Sequence, residues 1–251
     1  MEPVTHVRIE PCPRRVRAFF DGVAVVDSTH AQLLLERDRL PVYYFPADDV
    51  RTDLLASPAP PRSSRKGTVV RWALRAGNRT AHAAAWCYVE PVPAFAAIGG
   101  YIAFSWSRID AWFEEDEEVF VHPVSPYHRV DVLHSSRRVR VAVSGTTLAE
   151  TNRPRLLFET GLPVRYYLPQ ADVRMDLLVK SETTTQCPYK GIASHWSARV
   201  SAQTITDVAW CYRFPIPECA KIAQLVAFYN ERVDVWVDGQ LQPRPMTPWS
   251  A

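Results

Sequence analysis

The sequence contains no C-x-x-C pair, although it has five cysteines among 251 residues, at Cys12, Cys87, Cys187, Cys211 and Cys219. Zinc sites built on two such cysteine knuckles are therefore excluded, and we predict no metal ion. The disulfide framework that holds many small secreted domains together is also not expected, because we expect the chain to be cytosolic.

Long hydrophobic runs are missing as well. No apolar stretch approaches the roughly 18–20 residues that are needed to cross a bilayer, so we expect no membrane span. The first six residues form neither a basic segment nor an apolar one, and no secretory signal is visible. The expected location is therefore the cytoplasm. Apolar residues make up 47% of the chain, which is enough for packed cores.

Charge of one sign is scarce, because 29 basic residues face 27 acidic ones and the net charge is only +2. No basic run with interleaved aromatic residues occurs, so a nucleic-acid partner is not expected. The chain also lacks a phosphate loop, an H-E-x-x-H motif, a G-x-S-x-G motif and a dinucleotide fingerprint. We therefore predict no cofactor, and these motifs give no reason to expect an enzyme.

The chain does contain an internal repeat. Residues 14–55 align without a gap on residues 137–178, with 17 identities in 42 positions. After a one-residue insertion, residues 65–119 align on residues 189–243, with 18 identities in 55 positions. A period of this length indicates two whole domains and not a solenoid of short units.

The alignment divides the chain into two repeats and three other segments. These are an N-terminal arm (1–13), a first repeat (14–119), a proline-containing linker (120–136), a second repeat (137–243) and a C-terminal tail (244–251). The linker carries His122, His128 and Asp131. It is interpreted either as a stiff spacer or as a segment that folds over a domain face and lends residues to a pocket.

Each repeat is predicted to be rich in β-structure. The valines between 139 and 143 alternate with other residues, and Ser144-Gly145 follows as a hairpin turn, as Asp21-Gly22 does in the first repeat. Further expected elements are a strand at 164–168, a hairpin of 194–199 with 205–213, a short helix at 217–224, and a closing strand pair of 226–229 with 233–237. Too few helices separate the strands for a parallel sheet, so the fold class is all-β with a small helical content.

The two repeats differ most in one ten-residue stretch. The second repeat has Cys187, Tyr189 and His195, where the first has Ser63, Arg65 and Arg71, whereas a Lys-Gly pair and a Trp occur in both. Residues present in both copies are mainly scaffold candidates, while chemically capable residues in one copy only are better candidates for function. Cys187 near Lys190 and His195 could be a thiolate, or it could be a small buried hydrophobic residue. Lys190 could hold an anion or a carbonyl group, or it could be an ordinary surface lysine.

Aromatic residues are abundant in the second repeat. They are Tyr166, Tyr167, Tyr189, Trp196, Trp210 and Tyr212. On a strand, Trp210 and Tyr212 point to the same face, and with Trp196 from the neighbouring strand they could form the wall of a pocket for a planar or cationic molecule. The alternative is a hydrophobic core of large residues.

Charged residues alternate after the Tyr-Tyr strand, at Asp172, Arg174 and Asp176. Two carboxylates could perform acid–base chemistry. The intervening arginine favours a structural ion pair instead, and both repeats carry the same pattern. The acidic run 114–118 is expected to be a solvated strand end that discourages edge-to-edge pairing.

Several of these segments together resemble a known family. They are Leu-Leu-Phe-Glu-Thr-Gly-Leu-Pro, Tyr-Tyr-Leu-Pro, Asp-Val-Arg-x-Asp-Leu-Leu, Cys-Pro-Tyr-Lys-Gly, Ala-Trp-Cys-Tyr and Arg-Val-Asp-Val. The chain resembles the bacterial family called domain of unknown function 427, in a tandem form known from actinobacteria. The resemblance implies a β-tent fold, in which two small antiparallel sheets lean together around a pocket. Relatives with this fold include zinc-binding domains, aromatic-cage ligand binders and a cysteine-dependent methionine sulfoxide reductase.

The leading hypothesis is that an aromatic-lined pocket in the second repeat binds or senses an unidentified small molecule. The alternatives are a cysteine-dependent enzyme that uses Cys187 with Lys190 or His195, and a non-enzymatic interaction scaffold. The repeats are expected to pack on each other, and a dimer is considered. The candidate ligand-binding residues are Tyr167, Arg174, Asp176, Cys187, Tyr189, Lys190, His195, Trp196, Trp210 and Tyr212.

Overall fold

A computed structural model describes residues 7–37, 39–56, 58–200, 203–247 and 249–250. The chain divides into two units, Met1–Ser125 and Pro126–Ala251. Both consist mainly of antiparallel strands, and every helix among the described residues is a short 3₁₀ helix. The predicted all-β class and two-domain layout are thereby confirmed, although the expected helix at 217–224 is the 3₁₀ segment Pro217–Ile222. None of the described helices has the length and apolar character that a membrane crossing requires.

The first unit contains eleven strands among its described residues. They are β1 Val7–Pro11, β2 Val16–Phe20, β3 Val23–Ser28, β4 Gln32–Glu36, β5 Val42–Tyr44, β6 Arg62–Ser64, β7 Gly67–Ala76, β8 Arg79–Pro91, β9 Ile102–Phe104, β10 Ala111–Glu114 and β11 Glu117–Glu118. Its 3₁₀ helices are Ala47–Asp49, Thr52–Leu54, Pro93–Ile98 and Trp106–Arg108.

The second unit repeats the same series. Its strands are β12 Val130–His134, β13 Val139–Val143, β14 Thr146–Thr151, β15 Arg155–Glu159, β16 Arg165–Leu168, β17 Leu178–Cys187, β18 Gly191–Val200, β19 Gln203–Pro215, β20 Val226–Phe228, β21 Asp234–Val237 and β22 Gln240–Leu241. Its 3₁₀ helices are Gln170–Asp172, Met175–Leu177 and Pro217–Ile222.

Two sheets form the second unit. The large sheet has the order β12-β15-β16-β20-β19-β18-β17, and the small sheet has the order β14-β13-β21-β22. The first unit has the corresponding strands, but its large sheet is divided into two parts, β1-β4-β5 and β6-β7-β8-β9. Two backbone hydrogen bonds of 2.8 Å between Phe45 and Ile102 connect the two parts. The predicted Asp21-Gly22 and Ser144-Gly145 hairpin turns have positive φ at both residues, as a tight two-residue hairpin requires.

Each unit has two hydrophobic cores. In the second unit, one core lies between the sheets and includes Val141 from the small sheet and Phe228 from the large sheet. The other lies on the opposite face of the large sheet, where Cys219 and Ile222 of the 3₁₀ helix Pro217–Ile222 pack against strand residues. This second face is the one that carries the candidate site, and we call it the outer face.

Three sequence expectations about connectivity need correction. The segments 226–229 and 233–237 do not pair with each other, because β20 joins the large sheet and β21 joins the small one. The segment 120–136 is not simply a spacer, because β12 lies within it and pairs along its whole length with β15. In the same way, β1 lies within the expected N-terminal arm and pairs with β4.

Candidate functional site

A buried lysine–carboxylate pair lies at the edge of the outer face in the second unit. Lys190 is in the turn between β17 and β18, and its ammonium group donates to both carboxylate oxygens of Glu159, at 2.6 and 2.5 Å. The side chains are only 10% and 5% exposed. Buried charges of this kind are tolerated when they are paired. Lys190 is therefore not a surface lysine, and its ammonium group is already paired with the carboxylate of Glu159.

His128, from the segment 120–136, contacts the carboxylate of this Lys–Glu pair. His128 lies just before β12, and its Nε2 atom is 3.0 Å from an oxygen of Glu159. The same imidazole stacks on the ring of Tyr189, with centroids 3.9 Å apart. Segment 120–136 therefore contributes His128 to the surroundings of the Lys190–Glu159 pair.

The aromatic residues divide between the two faces of the large sheet. Trp210 and Tyr212 share the outer face, as predicted, with Tyr167, whose hydroxyl accepts a 3.1 Å hydrogen bond from Trp210 Nε1. Trp196 is paired with Ala209 and packs into the core between the sheets, so the expected wall of Trp196, Trp210 and Tyr212 does not exist. His195 lies directly opposite Trp210 in its place.

His195 is almost fully buried, at 2% exposure. Its Nε2 atom is 2.9 Å from the hydroxyl of Thr185, and its Nδ1 atom has no hydrogen-bond partner among the described residues. Burial lowers the pKa of His195, which the nearby Asp207 carboxylate only partly offsets. The imidazole is therefore kept neutral near pH 7, because an ordinary histidine already has a pKa of about 6.5.

The thiol of Cys187 is half-buried at the end of β17. Lys190, which was expected to activate it, is already paired with Glu159, and the imidazole of His195 is neutral and lies beside Thr185. Its neighbour Cys219 is buried, and burial raises the pKa of that thiol to about 11. The geometry therefore adds no support for a nucleophilic cysteine, and the role of Cys187 stays a prediction.

The alternating charged residues form local ion pairs. The guanidinium of Arg174 donates two hydrogen bonds to Asp176, at 2.8 and 2.6 Å, and the ion pair lowers the pKa of that exposed carboxyl. Asp172 accepts hydrogen bonds from Thr151 and Arg153 instead. In the described part of the chain, neither Arg174 nor Asp176 has an ion pair with the Lys190 region, so the structure does not bring these two candidates to the outer-face site.

One part of the site was not found from the sequence. The guanidinium of Arg165 donates to both oxygens of Glu231, at 2.7 and 2.6 Å, in a pair that is almost fully buried. Its central carbon lies 5.6 Å from the ring centres of Trp210 and Trp249 and 5.9 Å from that of Tyr229. Burial raises the pKa of Glu231, but hydrogen bonds, first from Arg165 and then from Thr247, bring it below its ordinary value. The available signal was that the first repeat has Val42 and Ser107 at the aligned positions.

The first unit repeats the central contacts. Lys66 donates to Glu36, which also accepts a 2.8 Å hydrogen bond from Arg65. Trp86 Nε1 donates to the Tyr44 hydroxyl at 3.2 Å, as Trp210 does to Tyr167. Both units thus combine a buried Lys–Glu pair with a Trp–Tyr hydrogen bond on the outer face.

This shared arrangement agrees with a family match that covers both units. The sequence profile described as Domain of unknown function (DUF427) matches residues 8–115 and 131–239. The chain belongs to the DUF427 family. No curated protein matches it. The family description names no activity, so the function has to be argued from the geometry of the DUF427 units.

The Lys-Gly pair in both DUF427 units has a geometric basis. Gly67 has φ +119° and Gly191 has φ +102°, which side-chain-bearing residues rarely adopt. A Cβ atom on Gly67 would lie 2.1 Å from the carbonyl oxygen of Glu90. The glycine therefore allows the turn that carries the buried lysine to close against the following strand.

An open cavity lies over the Lys–Glu pair in the first DUF427 unit, which was expected to be the degenerate copy. Its volume is about 350 Å³. We call it the Lys66 cavity, and its lining residues are Glu36, Arg39, Leu40, Val42, Tyr44, Lys66, Arg71, Trp86 and Tyr88. A second, more apolar cavity of about 390 Å³ also borders Arg71 and includes Trp72 and His82.

The second DUF427 unit has a buried Arg–Glu ion pair at the positions aligned with Val42 and Ser107. Val42 is replaced by Arg165, which is held by Glu231 and surrounded by aromatic rings. Arg71 is replaced by the buried His195. Of the residues that distinguish the second repeat, Tyr189 stacks on His128, and His195 lies within hydrogen-bond distance of Thr185. In the described residues, no group of three or more His, Cys, Asp or Glu side chains is placed to hold a metal ion.

Proposed function

We propose that this chain binds a small organic molecule in the Lys66 cavity of the first unit. The observation that carries the proposal is the cavity itself, an opening of about 350 Å³ above a buried ion pair. Binding sites for small molecules commonly have volumes of about 300–1,000 Å³ and combine aromatic walls with a few polar groups. The Lys66 cavity has both, since Trp86 and Tyr88 line it together with Lys66 and Arg71.

The second unit supports this assignment by contrast. Its outer face has the same Lys–Glu pair and the same Trp–Tyr hydrogen bond, so the shared contacts are explained by the fold alone. The difference lies at two aligned positions, where Arg165 replaces Val42 of the cavity lining and Glu231, the partner of Arg165, replaces Ser107. We therefore place the ligand site in the first unit, although the sequence favoured the second.

The test is to close the Lys66 cavity with the residues that the second unit uses. The double variant Val42→Arg/Ser107→Glu introduces the counterparts of Arg165 and Glu231. The full chain is first screened against a library of small neutral and charged organic molecules by ligand-observed NMR. A molecule that binds the parent should bind the double variant at least about tenfold more weakly, because a guanidinium occupies its space.

The matched control is Val42→Ile, which adds one methylene group beside the cavity and introduces no charge. It should retain binding within about threefold of the parent. Circular dichroism and thermal unfolding must show that both variants are folded. The proposal is overturned if every molecule found in the screen binds the folded double variant as well as it binds the parent.

A further inference from the structure

The charges that line the Lys66 cavity are strongly unbalanced. Three cationic side chains, from Arg39, Lys66 and Arg71, face one carboxylate, that of Glu36. Glu36 is already neutralised, because Lys66 and Arg65 both donate to it and its side chain is only 4% exposed. The cavity therefore presents a net positive charge to whatever enters it.

Two of these cations, Arg39 and Arg71, have no carboxylate partner among the described residues. Arg39 and Arg71 are exposed, and neither makes an ion pair within the part of the chain that the structure describes. Some exposed arginines of the same unit are paired, for example Arg51 with Asp53, whereas Arg75 makes no ion pair with another described residue. Arg39 and Arg71 are thus available to an anion, and guanidinium groups match carboxylate geometry well.

These two arginines occur only in the first repeat. The aligned residues of the second repeat are Leu162 and His195, and the latter is buried and kept neutral. Strand pairing places Arg71 directly opposite Trp86. The positive charge of Arg71 also acts on the neighbouring Tyr88, where it opposes the rise in the phenol pKa that burial causes. The unpaired guanidinium therefore lies beside the aromatic part of the cavity wall.

The geometry points to a small planar carboxylate as the ligand of the Lys66 cavity, with its carboxylate held by Arg39 and Arg71 and its ring against Trp86 and Tyr88. This inference rests on the proposed binding function and adds the chemical class of the ligand. Aromatic side chains suit a flat ring, and arginines without partners favour a negative charge over a neutral or positive one.

Three probes with the same ring separate charge from shape. Benzoate, benzamide and benzamidine carry a negative, a neutral and a positive group on one benzene ring, and inorganic phosphate tests an anion without a ring. Binding of each to the full chain is measured by NMR titration up to about 10 mM, a range that detects the weak affinities of fragments. We expect benzoate to bind at least about fivefold more tightly than the other three.

Variants then assign the binding to the two arginines. Arg71→Gln and Arg39→Gln should each weaken benzoate binding about fivefold and change benzamide binding less than twofold. The matched control is Arg75→Gln, which removes an exposed arginine of the same strand outside the cavity lining and should leave benzoate binding unchanged. Raising the salt concentration should weaken benzoate binding and leave benzamide binding unchanged, since salt screens an exposed charge pair.

The possible failures are distinguishable. If benzamide, benzamidine or phosphate binds as tightly as benzoate, or if no probe binds by about 10 mM, the ligand class is wrong. If benzoate binds best but Arg75→Gln weakens it as much as Arg71→Gln does, the assignment to the cavity arginines is wrong. The proposed function fails separately, when closing the cavity with Val42→Arg/Ser107→Glu leaves the binding of every screened molecule unchanged.

Discussion

The buried Lys–Glu pair is the feature that the two units share most closely at the level of single residues. In the second unit it involves Lys190, Glu159 and the imidazole of His128. The Lys190 and Glu159 side chains are buried, and that of His128 is partly buried. An ion pair in such a place does not by itself stabilise the fold strongly, because burying two charges costs about as much as their attraction returns. Removing only one of the two charged groups, however, leaves the other one buried without a partner.

We therefore predict that Glu159→Gln destabilises the second unit by about 3 kcal/mol, because it leaves the Lys190 ammonium unneutralised. The double variant Lys190→Met/Glu159→Leu should lose much less, since neither charge remains. Urea unfolding measures both values. Arg174→Gln serves as the control, because it breaks an exposed ion pair and should change the stability little. A Glu159→Gln protein as stable as the parent would contradict the prediction.

The buried His195 gives a prediction about pH. Burial lowers its pKa in the folded state, and the Asp207 carboxylate only partly opposes this. The unfolded chain, with an ordinary histidine pKa of about 6.5, takes up the proton first when the pH falls. Stability should therefore be highest above about pH 6.5 and should decrease as the pH falls from there toward the folded-state pKa.

The measurement compares the parent with His195→Gln by chemical denaturation between pH 7.5 and pH 5.5. The parent should lose more stability over this range than the variant, because the other histidines are common to both proteins. A parent and a variant with parallel pH profiles would show that His195 does not contribute this dependence.

At the scale of the elements, alternation along strands was predictable but the register between strands was not. The rule that neighbouring residues point to opposite faces places His195 and Trp196 on different sides of the sheet. Which of them faces Trp210 depends on the pairing, and β18 and β19 contain two register shifts, after Gly191 and after Trp196. The sequence pattern does not mark these irregularities, so it leaves open whether Trp196 lines a pocket wall with Trp210 or packs into the hydrophobic core, as the structure shows.

Short hairpins were the most predictable elements. The turns at Ser144-Gly145 and Asp21-Gly22, and the hairpin of β18 with β19, follow from local residue preferences and occur as expected. Pairings between distant segments were not predicted, and β12 with β15 is the clearest example. The prolines near β12 suggested a spacer, although its alternating residues Val130 and Val132 pack against the outer face.

At the scale of the whole molecule, duplication was clear from the sequence, but its functional meaning was not. The sequence indicated that the repeat with the richer chemistry carries the site. The structure shows that Arg165, Glu231, Lys190 and Glu159 of that repeat are paired with one another. Sequence comparison identifies which residues differ between the copies, but it does not tell whether a charged side chain is free for a ligand or already has an internal partner.

Because each unit has its own pair of cores, each should fold as a separate chain. We predict that fragments 1–125 and 126–251 each give a β-type circular dichroism spectrum and unfold cooperatively in urea. A fragment that begins at residue 137, where the repeat alignment starts, lacks β12 and the buried side chain of Val132. It should be at least about 2 kcal/mol less stable than fragment 126–251, since burying a valine contributes about 1.5–3 kcal/mol and the edge pairing with β15 is also lost. Equal stability of fragments 126–251 and 137–251 would mean that β12 is not part of the folding unit, and non-cooperative unfolding of 1–125 and 126–251 would contradict the two-unit description.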